Sequence, residues 1–225
     1  MLSDKEKQVD ISISTSISLQ ANLKIPHNAK GMVIFAHGSG SSRFSPRNRL
    51  VAEVLNKGGL GTLLVDLLTI EEEKVDQMTG EHRFNIDLLT ERLCGVSRWV
   101  FSHEQWAVGF FGASTGAAAA LGAAAKIGDL IQAVVSRGGR PDLAVDSLKQ
   151  VKSPTLLIVG GDDIPVIGMN ELAFNQLSCE KKMVIVPGAT HLFEEPGMLE
   201  QVAQLALTWF QTHLVSHRAK RKRIA

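Results

Sequence analysis

Three side-chain types, set far apart along the chain, could together carry out nucleophilic catalysis: a serine, a carboxylate and a histidine. The serine is Ser114, held in Gly112-Ala-Ser-Thr-Gly116. A hydroxyl is a weak nucleophile unless it is exposed, oriented and next to a base. The Gly-x-Ser-x-Gly spacing meets the first two needs, because it makes a sharp strand-to-helix bend with the serine at its tip. Side chains at the two glycine positions would collide in that bend. The base is His191, in "GATHLF" (188–193), and the acid that fixes its tautomer precedes it, in "GGDDIPV" (160–166). Asp162 and Asp163 compete for that role, and spacing does not separate adjacent carboxylates. The amide of Thr115, at the start of the following helix, can donate to a developing oxyanion. A second amide is expected from "HGSG" (37–40), at Ser39 with Gly40 as the alternative; His37 itself reads as an orienting residue. His27, His82, His103, His213 and His217 read as solvated.

This chemistry suits acyl transfer through an acyl-enzyme, and the cleavage of a small ester or lactone is the expected reaction. The same triad would also serve an acyltransferase, a thioesterase or an amidase. From another class, the alternative is a non-catalytic binding protein on the same scaffold, which would have no need of all three side chains. Arg43 and Arg47 follow the oxyanion loop, and Arg137 and Arg140 lie in "SRGGRPD" (136–142). Guanidinium forks match carboxylate and phosphate oxygens, so one or two of these four candidate substrate-binding residues are expected to bind an acidic part of the substrate. Ordinary pairing with Glu71–Glu73 and Asp142 is the competing account. Read as a phosphate loop, "GSGSSR" (38–43) lacks the third glycine of a dinucleotide fingerprint and the Gly-Lys of a P-loop. No cofactor and no metal site are expected, since Cys94 and Cys179 lack metal-ligand spacing and read as buried small hydrophobes.

Such a constellation needs a scaffold that brings distant loops together. Apolar residues alternate with polar ones from Ile11 to Ile25, the sign of half-buried strands in a hairpin bending near Thr15–Ser16. Beyond Pro26 come short apolar runs: 32–36, 61–67, 106–112, 131–136, 155–160 and 182–188. Helical spacing lies between them, at 47–57, 86–102, 115–127, 166–177 and 198–215. Fully apolar strands alternating with helices imply a parallel sheet covered on both faces, with the active loops at the strand C-termini. The longest gap, from Leu67 to Phe84, is expected to be a loop.

The 225 residues suit one domain, 1–215, followed by a basic tail at 216–225. Apolar residues at 44% and charged ones at 21% are ordinary for a globular chain with a sizeable core. A net charge of +1 gives no strong attraction for nucleic acid or anionic lipid. The uncharged stretch from Trp106 to Ala125 is long enough to suggest a membrane span, but its glycines and flanking elements divide it into strand, turn and alanine-rich helix. No secretory signal is apparent in "MLSDKEKQVD", and a cytoplasmic protein, monomeric or a small homo-oligomer, is expected.

The pieces resemble the α/β-hydrolase superfamily, and within it the dienelactone-hydrolase-like branch. The resemblance rests on "FAHGSGSSRFSPRN" (35–48), "GASTG" (112–116), "GGDDIPV" (160–166) and "GATHLFEEPG" (188–197), and runs from about Val9 to Val215. It implies the α/β-hydrolase fold, with a doubly wound, mostly parallel sheet, an N-terminal antiparallel hairpin and no separate lid domain. It also implies ester-type hydrolysis, and it places the acid at Asp163, the fourth position of a Gly-Gly-x-Asp-x-Pro-Val pattern. Dienelactone hydrolase proper uses a cysteine nucleophile where this chain has Ser114, so the dienelactone substrate itself is not implied.

Overall fold

The computed structural model of the protein describes residues 3–103 and 106–214; the basic tail at 216–225 lies outside the described residues. Strands β1 (Ser3–Ser12) and β2 (Ser18–Ile25) form the antiparallel hairpin. The alternation does what period two requires, burying Ile11, Leu19, Ala21, Leu23 and Ile25. The strands β3 (Met32–Ala36), β4 (Gly61–Val65), β5 (Val108–Ala113), β6 (Ile131–Arg137), β7 (Thr155–Gly160) and β8 (Lys181–Val186) are mutually parallel. The order across the sheet is β1-β2-β4-β3-β5-β6-β7-β8, with β2 antiparallel to β4. β3, β4, β5 and β7 are buried at every position, which is why they read as continuous apolar runs.

Helices cover both faces. α1 (Pro46–Lys57) and α6 (Met198–His213) pack Val51, Leu55, Val202 and Phe210 against one side. α3 (Ile86–His103), α4 (Thr115–Ile127) and α5 (Ile164–Gln176) pack against the other. Every residue of α4 from Thr115 to Ala124 is buried. Small side chains permit this close fit: a Cβ on Gly122 would lie 2.7 Å from Thr90 Oγ1 of α3. The uncharged stretch is therefore β5, an elbow and α4, and among the described residues no helix is long and apolar enough to cross a membrane.

The structure corrects the expectation of a loop over Leu67–Phe84, because a helix, α2 (Ile70–Thr79), forms inside it. A capping box starts it: Thr69 Oγ1 accepts from the Glu72 amide at 3.2 Å, and Glu72 Oε2 accepts from the Thr69 amide at 2.8 Å. Gly80, at φ +67°, ends it. The buried residue of α2 is not apolar but Asp76. Its carboxylate accepts from the amides of His82 (2.7 Å) and Arg83 (2.9 Å) and from Arg83 Nε (2.7 Å). Burial alone would raise the Asp76 pKa, yet the Arg83 and His82 contacts outweigh it and hold the carboxyl below its usual value. Arg92 of α3 pairs with Glu72. Polar pins in place of an apolar stripe explain why periodicity missed this helix. A second element the periodicity did not show is a run of 3-10 turns over Pro141–Gln150, kinked at Ala144.

Candidate active site

In register, Ala36 of β3 lies beside Gly112 of β5, Ala113 beside Arg137 of β6, and Gly160 of β7 beside Val186 of β8. The loops that leave these strands therefore converge at one edge of the sheet. Ser114 stands at the centre, with φ +51° and ψ −121°, a strained conformation for a residue with a side chain. Its surroundings fix it there. The Ser114 amide donates to the Arg137 carbonyl at 3.3 Å, and the Ser114 carbonyl accepts from the amides of Ala117 and Arg140, each at 3.1 Å. Both flanking glycines are needed for space. A Cβ on Gly112 would overlap the Ala117 backbone, and one on Gly116 would lie 2.5 Å from the His37 carbonyl oxygen.

His191 Nδ1 donates to Asp163 Oδ2 at 2.7 Å, while the neighbouring Asp162 is exposed. With the proton on Nδ1, the lone pair of the neutral ring is on Nε2. Asp163 is the more buried partner, at 12% side-chain exposure against 37% for His191. Two close approaches set the histidine loop. A Cβ on Gly160 would lie 2.6 Å from the Thr190 oxygen, so the loops carrying Asp163 and His191 touch. Gly138, one residue beyond the strand that pairs with the elbow, has φ +51°, and a Cβ there would lie 3.0 Å from the His191 oxygen and 3.6 Å from its Cε1. Phe193, fully buried with φ +57°, anchors the far side of the loop in the core.

The loop after β3 runs beside the serine, and a Cβ on Gly38 would lie 3.0 Å from Ser114 Cβ. The Ser39 amide donates to Thr115 Oγ1 at 2.9 Å, which brings the two expected oxyanion residues together. Gly40 is exposed with φ +68°. His37 Nδ1 donates to the Gly38 carbonyl at 2.9 Å. Its Nε2 is buried, 3.8 Å from Asp66 Oδ1. A cavity of about 20 Å³ opens between His37, Ser39, Thr115 and the leucines Leu67, Leu68 and Leu89.

The four arginines take different positions. Arg43 is buried, ion-paired to Asp66, and its Nε donates to Asn22 Oδ1 at 3.2 Å. Arg47 pairs with Glu194 at 2.6 Å, tying α1 to the histidine loop. Arg140 pairs with Asp142 at 2.8 Å. Arg137 is 6% exposed and has no carboxylate partner among the described residues, and its Nε is buried without a hydrogen bond. Burial, together with the nearby Arg47 charge, pushes the Arg137 pKa down to about 10. Sequence reasoning gave no site role to Glu73 of α2 or to Arg83 beyond its end, which both line the cavity beside Thr115. It also missed Asn170, which holds the turn after β6 through a 3.0 Å bond to the Gly139 carbonyl. The signal available for α2 was Thr69-x-x-Glu72 with Gly80 beyond it.

An eight-stranded, mostly parallel sheet with its first hairpin antiparallel and a serine on a strained strand-to-helix elbow is an α/β-hydrolase fold. Known structures agree. The dienelactone hydrolase from Anabaena variabilis superposes with a TM-score of 0.91 at 57% identity, covering 93% of this chain and 98% of that one. Est1E from Butyrivibrio proteoclasticus shares the fold, with a TM-score of 0.74 at 18% identity over 91% of this chain and 99% of its own. The chain belongs to the dienelactone hydrolase family of α/β-hydrolases. No family model matches it. It is also 52% identical, over 216 residues and 95% of its length, to a Mycobacterium tuberculosis protein described as "Putative phosphoribosyl transferase". The chain spans about half the length of these curated relatives, 47%.

Proposed function

We propose that the protein is a serine hydrolase that cleaves an ester or lactone through an acyl-enzyme. The observation that carries this reading is the 2.7 Å bond from His191 to Asp163, in a loop packed on the turn beside the strained Ser114. Ser114 Oγ attacks the carbonyl carbon and gives its proton to His191 Nε2. Asp163 holds the resulting imidazolium, and the Thr115 and Ser39 amides take the developing negative charge on oxygen. For Ser39 this means exchanging its bond to Thr115 Oγ1 for one to the oxyanion. As the C–O bond breaks, His191 returns the proton to the departing alcohol. Water then repeats the cycle on the acyl-enzyme and releases the acid.

The name of the curated relatives describes proteins about twice this length, whereas this chain, which matches 47% of them, has the hydrolase fold. One further reading concerns the acyl group. Arg137 lies one strand from Ser114 with its charge unmatched, and so favours a substrate bearing a carboxylate or phosphate. Steady-state hydrolysis of short-chain aryl esters and lactones, with product analysis, tests the main reading. Free acid should accumulate, and His191→Ala should lower kcat on the order of 10³-fold. Acyl groups appearing only on an added acceptor would identify a transferase instead.

A further inference from the structure

Ser114, Asp163 and His191 each have an exposed apolar neighbour. Leu143, Ile164 and Leu192 are 36%, 68% and 37% exposed. Ile164 follows Asp163 and begins α5, and Leu192 follows His191. Leu143 is reached from the serine by two backbone bonds of 3.1 Å, from the Arg140 amide to the Ser114 carbonyl and from the Leu143 amide to the Arg140 carbonyl. The 2.7 Å bond between His191 and Asp163 brings the other two loops together. A lone exposed leucine needs no explanation, but three such residues on the loops around one serine mark a place where an apolar group can be covered.

The order of strands decides which half of an ester would meet them. The loop after β3, with Ser39, lies on one side of β5, and the turns after β6, β7 and β8 lie on the other. In the hydrolase reading the carbonyl oxygen turns toward Ser39, and His191 Nε2 hands its proton to the departing alcohol from the opposite side. The His191 ring lies against the turn after β6, where a Cβ on Gly138 would be 3.6 Å from its Cε1. That turn leads into Leu143. Arg137 does not share this space, because it lies on the strand face of Ala133 and Val135, which pack with α1 and α6. The 3-10 turns over Pro141–Gln150 and α5 cover the other face, through Ala144, Leu148 and Ala173. Of the charges nearby, Arg140 is paired with Asp142 and Glu194 with Arg47. Asp146 and Asp162 are exposed to water, where a carboxylate attracts a cation only weakly.

Resting on the hydrolase reading above, we infer that the alcohol half of the substrate is apolar, an alkyl or aryl group laid over Leu143, Ile164 and Leu192. Specificity on this side comes from apolar area covered, since the three side chains offer no hydrogen bond. All three are open to solvent, so the alcohol can leave once the acyl group is on Ser114.

The test measures kcat/KM for ethyl, butyl and hexyl acetate, whose alcohols are alike in leaving ability, and for the acetate of choline. Ethyl butanoate and ethyl hexanoate extend the acyl side instead, and fluorophosphonate labelling is run on the same preparation. Along the acetate series kcat/KM should rise about twofold per methylene, half the free energy of full burial, and so on the order of tenfold from ethyl to hexyl. Ile164→Ser and Leu143→Ser, both at exposed positions, should each shrink the hexyl-to-ethyl ratio toward one. A labelled enzyme with a flat acetate series, with a rise on the acyl series only, or with a preference for choline acetate over butyl acetate would overturn this inference alone. So would a flat series in a protein that sediments as a dimer and becomes monomeric in Ile164→Ser, since a second copy would then cover these side chains. A preparation that neither labels nor turns over any ester would overturn it along with the hydrolase reading.

Discussion

Arg137 shows at the residue scale how a buried charge can cost stability. A buried guanidinium with no carboxylate partner gives up hydration and gains little in return. Arg137→Met keeps much of the volume and removes the charge, so it should raise stability by roughly 1–3 kcal/mol in urea denaturation. The same variant should lower kcat/KM on esters whose acyl group carries a carboxylate by more than on neutral ones. Greater stability with an equal effect on both substrates would leave Arg137 no part in reading the acyl group. Gly116 gives a second prediction at this scale. A methyl group there would press on the carbonyl oxygens of Ala36 and His37, so Gly116→Ala should cost about 1–3 kcal/mol and displace the serine from its elbow. Unchanged stability and unchanged kcat would contradict that geometry.

At the scale of elements, α2 is held by a few polar contacts, with Asp76 at the centre. Because the Asp76 pKa is lower in the folded chain than in the unfolded one, its contribution is complete above the unfolded value of about 4. It is lost as pH falls through the folded value. Relative to intrinsic exchange rates, amide protection across residues 70–84 should therefore fall below about pH 4, while β3–β7 stay protected. Asp76→Asn should produce the same local opening at neutral pH. Exchange that rises uniformly over the whole sheet would show that α2 has no separate stability. The elements that bury apolar side chains were legible in the sequence: β3, α4 and the hairpin turn fall where the apolar pattern places them. α2 was not, because periodicity detects apolar burial and this helix buries a carboxylate.

Across the whole molecule, the register of β3, β5, β6, β7 and β8 turns sequence order into proximity. That Ser114, Asp163 and His191 sit on loops at one edge of the sheet was legible, because each follows an apolar strand and the fold sends all such loops there. Between Asp162 and Asp163 the residues alone gave no answer; the structure aims Asp163 at the imidazole. The charge state of the arginines was not legible either, since pairing depends on partners distant in sequence, such as Asp66 for Arg43 and Glu194 for Arg47. The central claim is that Ser114 is an activated nucleophile, and intact-mass analysis after fluorophosphonate treatment tests it most directly. The account predicts one stoichiometric adduct, mapped to the peptide containing Ser114, abolished by Ser114→Ala and slowed by His191→Ala. An unlabelled protein, or an adduct that persists in Ser114→Ala, would contradict it.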